Sequence, residues 1–304
     1  MLIPPLLKPG DKFAIVSPSG TVLAERVDGA VRAIKEWGFV PVEGEHCREQ
    51  YTIYNVVSHS APIESRRDDL LKAINDPEVR AILCSRGGYG AVHLLESLDL
   101  KQLARDPKWI IGFSDISALH AAWHHAGVVS IHSPMAKHLT LYDRNDEINL
   151  INYNILTQGE FPTYSVDSHP YNCPGTATAT IAGGNLAVLM SLLATPFNMI
   201  KPGIILFIED VAEQVYQVQR LLYHLRLAGI LPQLAGLIVG QFTKHRGDDT
   251  TAMYDMIHDM VASYHYPVAF NFPIGHIPRN VPIIEGSTAT LNVENNGTTL
   301  TMRP

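Results

Sequence analysis

The first 134 residues alternate between short apolar runs and stretches of helical apolar spacing, and this alternation limits the possible folds more than any other feature. Lys12–Pro18 (KFAIVSP) reads as a buried strand, and Leu23–Trp37 places Val27, Ala30, Val31 and Ile34 at helical spacing. Phe39–Val42 is a second strand. Ser60-Ala-Pro-Ile-Glu64 has the pattern of an N-cap, an early proline and an acidic first turn, opening a helix to Asn75. Arg80–Ser85, Trp109–Phe113 and Val128–Ile131 are further strands, with helices running to Leu98 and over Ile116–His125. Strand and helix alternating at this spacing predict an α/β fold, a parallel sheet with helices on both faces. Ligands of such sheets bind beyond the carboxyl ends of the strands. That directs attention to SPSG (17–20), SRGGYG (85–90), GFSD (112–115) and HSP (132–134).

Residues 135–175 lack clear periodicity and carry Pro162, Pro170 and Pro174, the pattern of a linker. A second domain is expected over 176–304. It holds Ala182-Gly-Gly-Asn185 opening a helix to Leu193, a strand Gly203–Ile208, a helix Val215–Ala228 and a strand Gly236–Val239. Two alternating strands around Asn296-Gly297 read as a terminal hairpin.

Of the 304 residues 46% are hydrophobic and 17% charged, a globular composition with core enough to need no disulfide or structural metal. A net charge of −7 with no basic cluster argues against nucleic acid or an anionic membrane as partner. Cys47, Cys84 and Cys173 are odd in number and lack a C-x-x-C pair, which suits a reducing compartment. The N-terminus has no basic region ahead of its short apolar run, and no stretch reaches 18 apolar residues. The expectation is a soluble cytoplasmic protein.

Chemistry concentrates at a few strand ends. In Trp109-Ile-Ile-Gly-Phe-Ser114-Asp115 a strand runs straight into a helix, a geometry that projects a serine and offers the next backbone N–H to an oxyanion. Ile116 stands where G-x-S-x-G would have its second glycine, and a plain serine N-cap fits the same residues. Arg86-Gly-Gly-Tyr-Gly90 is either an anion-facing turn or a turn that needs positive φ. Glu209-Asp210 follows an apolar strand, as an orienting carboxylate or as a solvated helix cap. His276 lies in a Pro-rich loop after Val268–Ile274, as a base or as a satisfied loop histidine. His120, His124, His125, His132 and His138 lack a carboxylate at metal-site spacing, so no metal is expected. Cys84 inside a strand reads as packing.

Taken in order, SPSG, RGGYG, GFSD, HSP, AGGN, the strand ending in Glu209-Asp210 and GH-x-x-x-N (275–280) resemble the serine LD-carboxypeptidases, the murein tetrapeptide carboxypeptidases that include the microcin-immunity peptidases. The resemblance spans nearly the whole chain. It implies a Ser–His–Glu triad with Ser114 as nucleophile, His276 as general base and Glu209 as its orienter. The implied oxyanion donors are the backbone N–H groups of Gly88 and Asp115, and the triad would meet where the two domains adjoin. It also implies an amidotransferase-like N-terminal domain, a smaller β-rich C-terminal domain, a homodimer and no cofactor. The implied reaction removes the terminal D-Ala of murein tetrapeptides during cytoplasmic peptidoglycan recycling. Arg86 and Arg279 are candidates for the substrate carboxylate by charge and position. Two other readings stay open: a microcin-immunity hydrolase of aminoacyl- or peptidyl-nucleotide conjugates, and a non-catalytic binding module.

Overall fold

The computed structural model describes residues 1–53, 57–243 and 250–304. The chain forms two units, Met1–Glu160 with Val281–Ile283, and Phe161–Asn280 with Ile284–Pro304. The first is the α/β unit read from the sequence. Its strands Val40–Glu43, Lys12–Val16, Val79–Cys84, Trp109–Gly112 and Ser130–His132 lie side by side in that order, each parallel to its neighbour. The edge beyond Ser130–His132 is taken by the strand that begins at Ile283. Phe13, Ile15, Ala81, Ile82, Leu83, Ile110 and Ile111 are all buried, as expected where helices cover both faces of a parallel sheet. From Lys12–Val16 the chain first builds outward to Val40–Glu43 and then returns to Val79–Cys84 on the other side. That reversal is the topological switch point, and the loops at its carboxyl end are SPSG and RGGYG.

Several elements differ from the sequence reading. Ser60 is no helix cap: the helix runs Ile63–Asn75, Pro62 holds the cap position, and buried Ser60 donates its N–H to the Ser19 carbonyl and its hydroxyl to Ser17. Ala91–Ser97 is a 3₁₀ turn, because apolar residues at 91, 94 and 95 suit that period as well as the α-helical one over so short a span. A small hairpin pairs Tyr51–Ile53 with Val57–His59. The stretch 135–175, read as a linker, carries helices Ala136–Leu141 and Glu147–Gln158 and strand Thr163–Val166. The second of these helices has Asp146 as a true N-cap, accepting from Ile148 N at 3.0 Å.

The second unit is a mixed seven-stranded sheet ordered Val268–Ala269, Gly236–Thr243, Ile205–Val211, Gly175–Asn185, Thr288–Glu294, Gly297–Arg303, Thr163–Val166. Gly175–Asn185 joins its halves. Residues 175–180 pair antiparallel with Thr288–Val293, and residues 181–185 pair parallel with Ile205–Glu209. Helices Leu186–Ser191, Val215–Leu227 and Thr250–Val261 accompany the seven strands of this β-rich unit. The terminal hairpin forms as expected, with its turn at Asn295-Asn296, since Glu294 already faces Gly297. Among the described residues no helix is long and apolar enough to cross a membrane.

Lys108 anchors the amino-terminal edge of the first sheet. Its ammonium is fully buried and donates to the carbonyls of Asp76 (2.9 Å) and Val79 (2.8 Å) and to Asp106 Oδ2 (2.6 Å). Desolvation pulls its pKa down, while these three acceptors satisfy all its protons. Lys108→Met removes all three of these bonds from a fully buried position and is expected to cost about 3 kcal/mol in urea unfolding. A loss below about 1 kcal/mol would show the anchor to be dispensable.

Candidate active site

Ser114 follows the extended residue Phe113 at the end of Trp109–Gly112 and opens a 3₁₀ turn, Ser114–Ile116, that passes into helix Ser117–His125. Its φ is +66°, in the left-handed region that a non-glycine residue occupies at a cost of about 1–3 kcal/mol. The cap positions are Phe113 and Ile116, so Ser114 is not a helix N-cap. Gly112 explains the missing second glycine: a Cβ there would lie 2.8 Å from Ile116 Cγ2, so Ile116 packs directly onto the Gly112 backbone.

The carbonyl of Gly112 accepts from Ser133 N (2.9 Å) in the HSP segment and from His120 Nε2 (2.9 Å) on the following helix. Both fasten the strand end that carries the turn. With Nε2 donating, His120 Nδ1 accepts from Ser130 Oγ at 2.9 Å, which a neutral imidazole satisfies at both nitrogens. Complete burial pushes its pKa down to about 4. His138 pairs with Asp146 at 2.7 Å instead. Among the described residues no group of three or more His, Cys, Asp or Glu side chains could hold a metal ion.

The glycine-rich turn lies against Ser114. A Cβ on Gly87 would stand 3.0 Å from Ser114 Cβ and 3.2 Å from its Oγ. Gly88, with φ +123°, is pressed onto Gly20 of SPSG, and Gly20 N donates to the Gly87 carbonyl at 3.1 Å. Arg86 is exposed and donates to the Thr21 carbonyl. Cys84 and Cys47 are buried, Cys47 in contact with Ser17 and its thiol pushed up to about 11 by desolvation, so both pack rather than react.

In the second unit Glu209 and Asp210 lie inside the strand Ile205–Val211, not beyond its end. The register with Gly236–Thr243 slips between Ile208 and Asp210, so Gly240 and Gln241 together oppose Glu209. Such a bulge re-aims a side chain. Glu209, fully buried, accepts from His276 Nδ1 at 2.7 Å. The loop can cross the carboxylate because residue 275 is glycine: its φ is +126°, and a Cβ would fall 3.0 Å from Glu209 Cβ. Buried Asn280 accepts the Gly275 N–H at 2.9 Å, which accounts for the asparagine of GH-x-x-x-N. Arg279 is exposed. Asp210 serves another purpose. It accepts from Asn185 Nδ2 (2.8 Å), Ala187 N (2.9 Å) and Val211 N (2.8 Å), fixing the start of helix Leu186–Ser191. Burial and then the Glu209 charge raise its pKa to about 6.

The sequence reading therefore found Glu209 and His276, which the structure joins, and Ser114 with the glycine turn, which it also joins. It missed Gly87, Asn280 and the side chain of Asp115. The Asx and Gly signals stood inside recognised motifs, but their hydrogen-bond partners lie in other loops.

His120 generates a pH prediction. The unfolded chain binds its proton near the usual 6.5 and the folded chain only near 4. Its contribution to stability is whole above 6.5 and is lost as pH falls towards 4. Asp210 and Glu285, both raised chiefly by burial, act in the opposite sense, so wild type and His120→Gln are compared. Between about pH 7 and pH 4.5 the wild type is expected to lose about 2 kcal/mol more than the variant in urea melts. Parallel pH dependences would refute a neutral buried His120.

The family model for the LD-carboxypeptidase N-terminal domain matches residues 13–133, and that for the C-terminal domain matches 178–291. A "Probable murein peptide carboxypeptidase" of Bacillus subtilis is 30% identical over 295 residues, covering 95% of this chain and 91% of that protein. The crystal structure of a muramoyltetrapeptide carboxypeptidase from Oxalobacter formigenes is similar with a TM-score of 0.79 at 27% identity, covering 96% of this chain and 99% of that one. An MccF-like protein from Bacillus anthracis gives a TM-score of 0.85 at 25% identity, with both chains fully covered. With matched domains on either side of residue 160 and a full-length relative, the chain belongs to the LD-carboxypeptidase family.

Proposed function

We propose that this chain is a serine LD-carboxypeptidase that hydrolyses the bond between an L-configured centre and the terminal D-Ala of a murein tetrapeptide. The observation that carries the reading is the buried Glu209 carboxylate bonded to His276 Nδ1. A carboxylate on Nδ1 makes Nε2 the basic nitrogen and stabilises the imidazolium once it forms. The strained backbone of Ser114 supports its role as nucleophile.

In this reading His276 takes the Ser114 hydroxyl proton as the oxygen attacks the scissile carbonyl carbon. The tetrahedral oxyanion is held by the backbone N–H groups of Gly88 and Asp115. Collapse breaks the C–N bond, and His276 returns its proton to the D-Ala nitrogen. Water, deprotonated by the same imidazole, then releases the acyl group from Ser114. Arg86 and Arg279 are the cations offered for the D-Ala carboxylate. A homodimer working in cytoplasmic peptidoglycan recycling completes the reading. The similarity to the murein peptide carboxypeptidase of Bacillus subtilis and the muramoyltetrapeptide carboxypeptidase of Oxalobacter formigenes supports the substrate class. The MccF-like neighbour keeps nucleotide conjugates as the second substrate class.

Incubation with L-Ala-γ-D-Glu-meso-diaminopimelyl-D-Ala, followed by mass spectrometry, is expected to show loss of D-Ala with the wild type. Ser114→Ala should lower the rate by at least about 10⁴-fold. Gly87→Ala, which crowds the Ser114 side chain, should lower kcat by about 10²-fold. An intact peptide with wild type, alongside cleavage of an aminoacyl-sulfamoyl adenosine, would transfer the reading to nucleotide conjugates.

A further inference from the structure

The side chain of Asp115 has no part in the reaction proposed above, yet it is buried beside the nucleophile. Its Oδ2 accepts from Ser19 Oγ at 2.5 Å and from Ala91 N at 2.8 Å. These donors come from different segments: Ser19 lies in SPSG, and Ala91 opens the 3₁₀ turn directly after RGGYG. Arg66, also buried, grips the neighbouring residues of the same loops. Its Nη1 donates to the carbonyls of Pro18 (2.5 Å) and Gly90 (2.9 Å), and its Nε donates to the Ala61 carbonyl at 2.9 Å. Each loop is thus held at two successive residues, by a carboxylate on one and a guanidinium on the other.

This arrangement matters because the loops meet at Ser114. Gly87 contacts the Ser114 side chain, Gly88 packs on Gly20, and Gly20 N bonds the Gly87 carbonyl. A carboxylate one residue from the nucleophile that bonds Ala91 sets the distance between the Ser114 turn and the backbone of 87–90. Preorganised donors stabilise charge only when fixed before the charge develops. A displacement on the order of 1 Å at such a site costs about 10²-fold in rate.

We propose that the Asp115 side chain is a positioning residue: its carboxylate ties SPSG and RGGYG to the nucleophile turn, so that the glycine-loop N–H groups stand ready for the oxyanion. This rests on the reading of Ser114 as nucleophile. The contact needs one oxygen accepting two bonds, which an amide oxygen can also supply. The negative charge itself balances Arg66.

The two functions separate in variants. Asp115→Asn keeps the acceptor and loses the charge, so its Tm falls and its kcat falls less than that of Asp115→Ala. Asp115→Ala loses the acceptor, and kcat should fall by about 10²-fold with KM changed less than threefold. Ser19→Ala cuts one tether and should lower kcat about tenfold. A purely structural carboxylate would leave kcat of the folded protein unchanged in all three. Should Asp115→Ala not fold, Ser19→Ala decides: kcat within twofold of wild type overturns the proposal. The rate at which a fluorophosphonate labels Ser114 is measured in parallel, since that adduct also places an oxygen opposite the oxyanion donors. Wild type that labels without cleaving tetrapeptide refutes the substrate reading alone, and labelling rates then test the tether in the same order of variants. No labelling of wild type together with an intact tetrapeptide overturns both.

Discussion

The left-handed backbone at Ser114 is the constraint around which the first unit is arranged. A serine held at φ +66° relaxes unless its flanks are fixed, and here both flanks are. Before it, the Gly112 carbonyl uses both lone pairs, one on Ser133 N and one on the neutral His120 imidazole. After it, Ile116 packs onto Gly112 and the helix Ser117–His125 begins at once. Across from it lie the paired SPSG and RGGYG loops, fastened by Asp115 and Arg66. HSP, GFSD and the two glycine loops are therefore one mechanical assembly at the switch point of the sheet.

The second unit solves a different problem, the burial of an unshielded carboxylate. Glu209 has no exposure, and a buried charge is tolerated only with a partner. The bulge opposite Glu209, the absent Cβ at Gly275 and the Asn280 bond to Gly275 N all serve to bring His276 Nδ1 to 2.7 Å. Asp210, the next residue along the strand, is kept apart from that pair by its own three donors. Two adjacent carboxylates thus have distinct environments, one facing an imidazole and one capping a helix.

Much of this was legible in the sequence. The parallel sheet followed from apolar runs at strand length, and the motifs fell at strand ends because glycine, serine and proline interrupt those runs. Segments of weak or ambiguous period were read less well. The helices over 136–158 carry the sequence pattern of a linker, because polar Asn and Asp residues mask the apolar stripe of Ile148, Ile155 and Leu156. Ser60 imitated an N-cap because a serine before a proline has that local signature, whereas its hydrogen bonds go to Ser17 and Ser19, more than 40 residues away. Asp115 stood out in the sequence only as the residue after Ser114 in GFSD. The bonds of its carboxylate were not legible, since nothing within GFSD names Ala91 or Ser19 as partner.

The sequence by itself determined the α/β class, the strand ends at which the motifs fall, and the residue types available there, because these depend on periodicity and turn preference within about ten residues. Tertiary structure alone decided which of those residues bond to one another. Ser19 and Asp115 are 96 residues apart and Glu209 and His276 are 67 apart. Partners at such separations are selected by strand order, register and the space left by a missing Cβ. Those quantities exist only once the sheet has closed and water has left the loops between its strands.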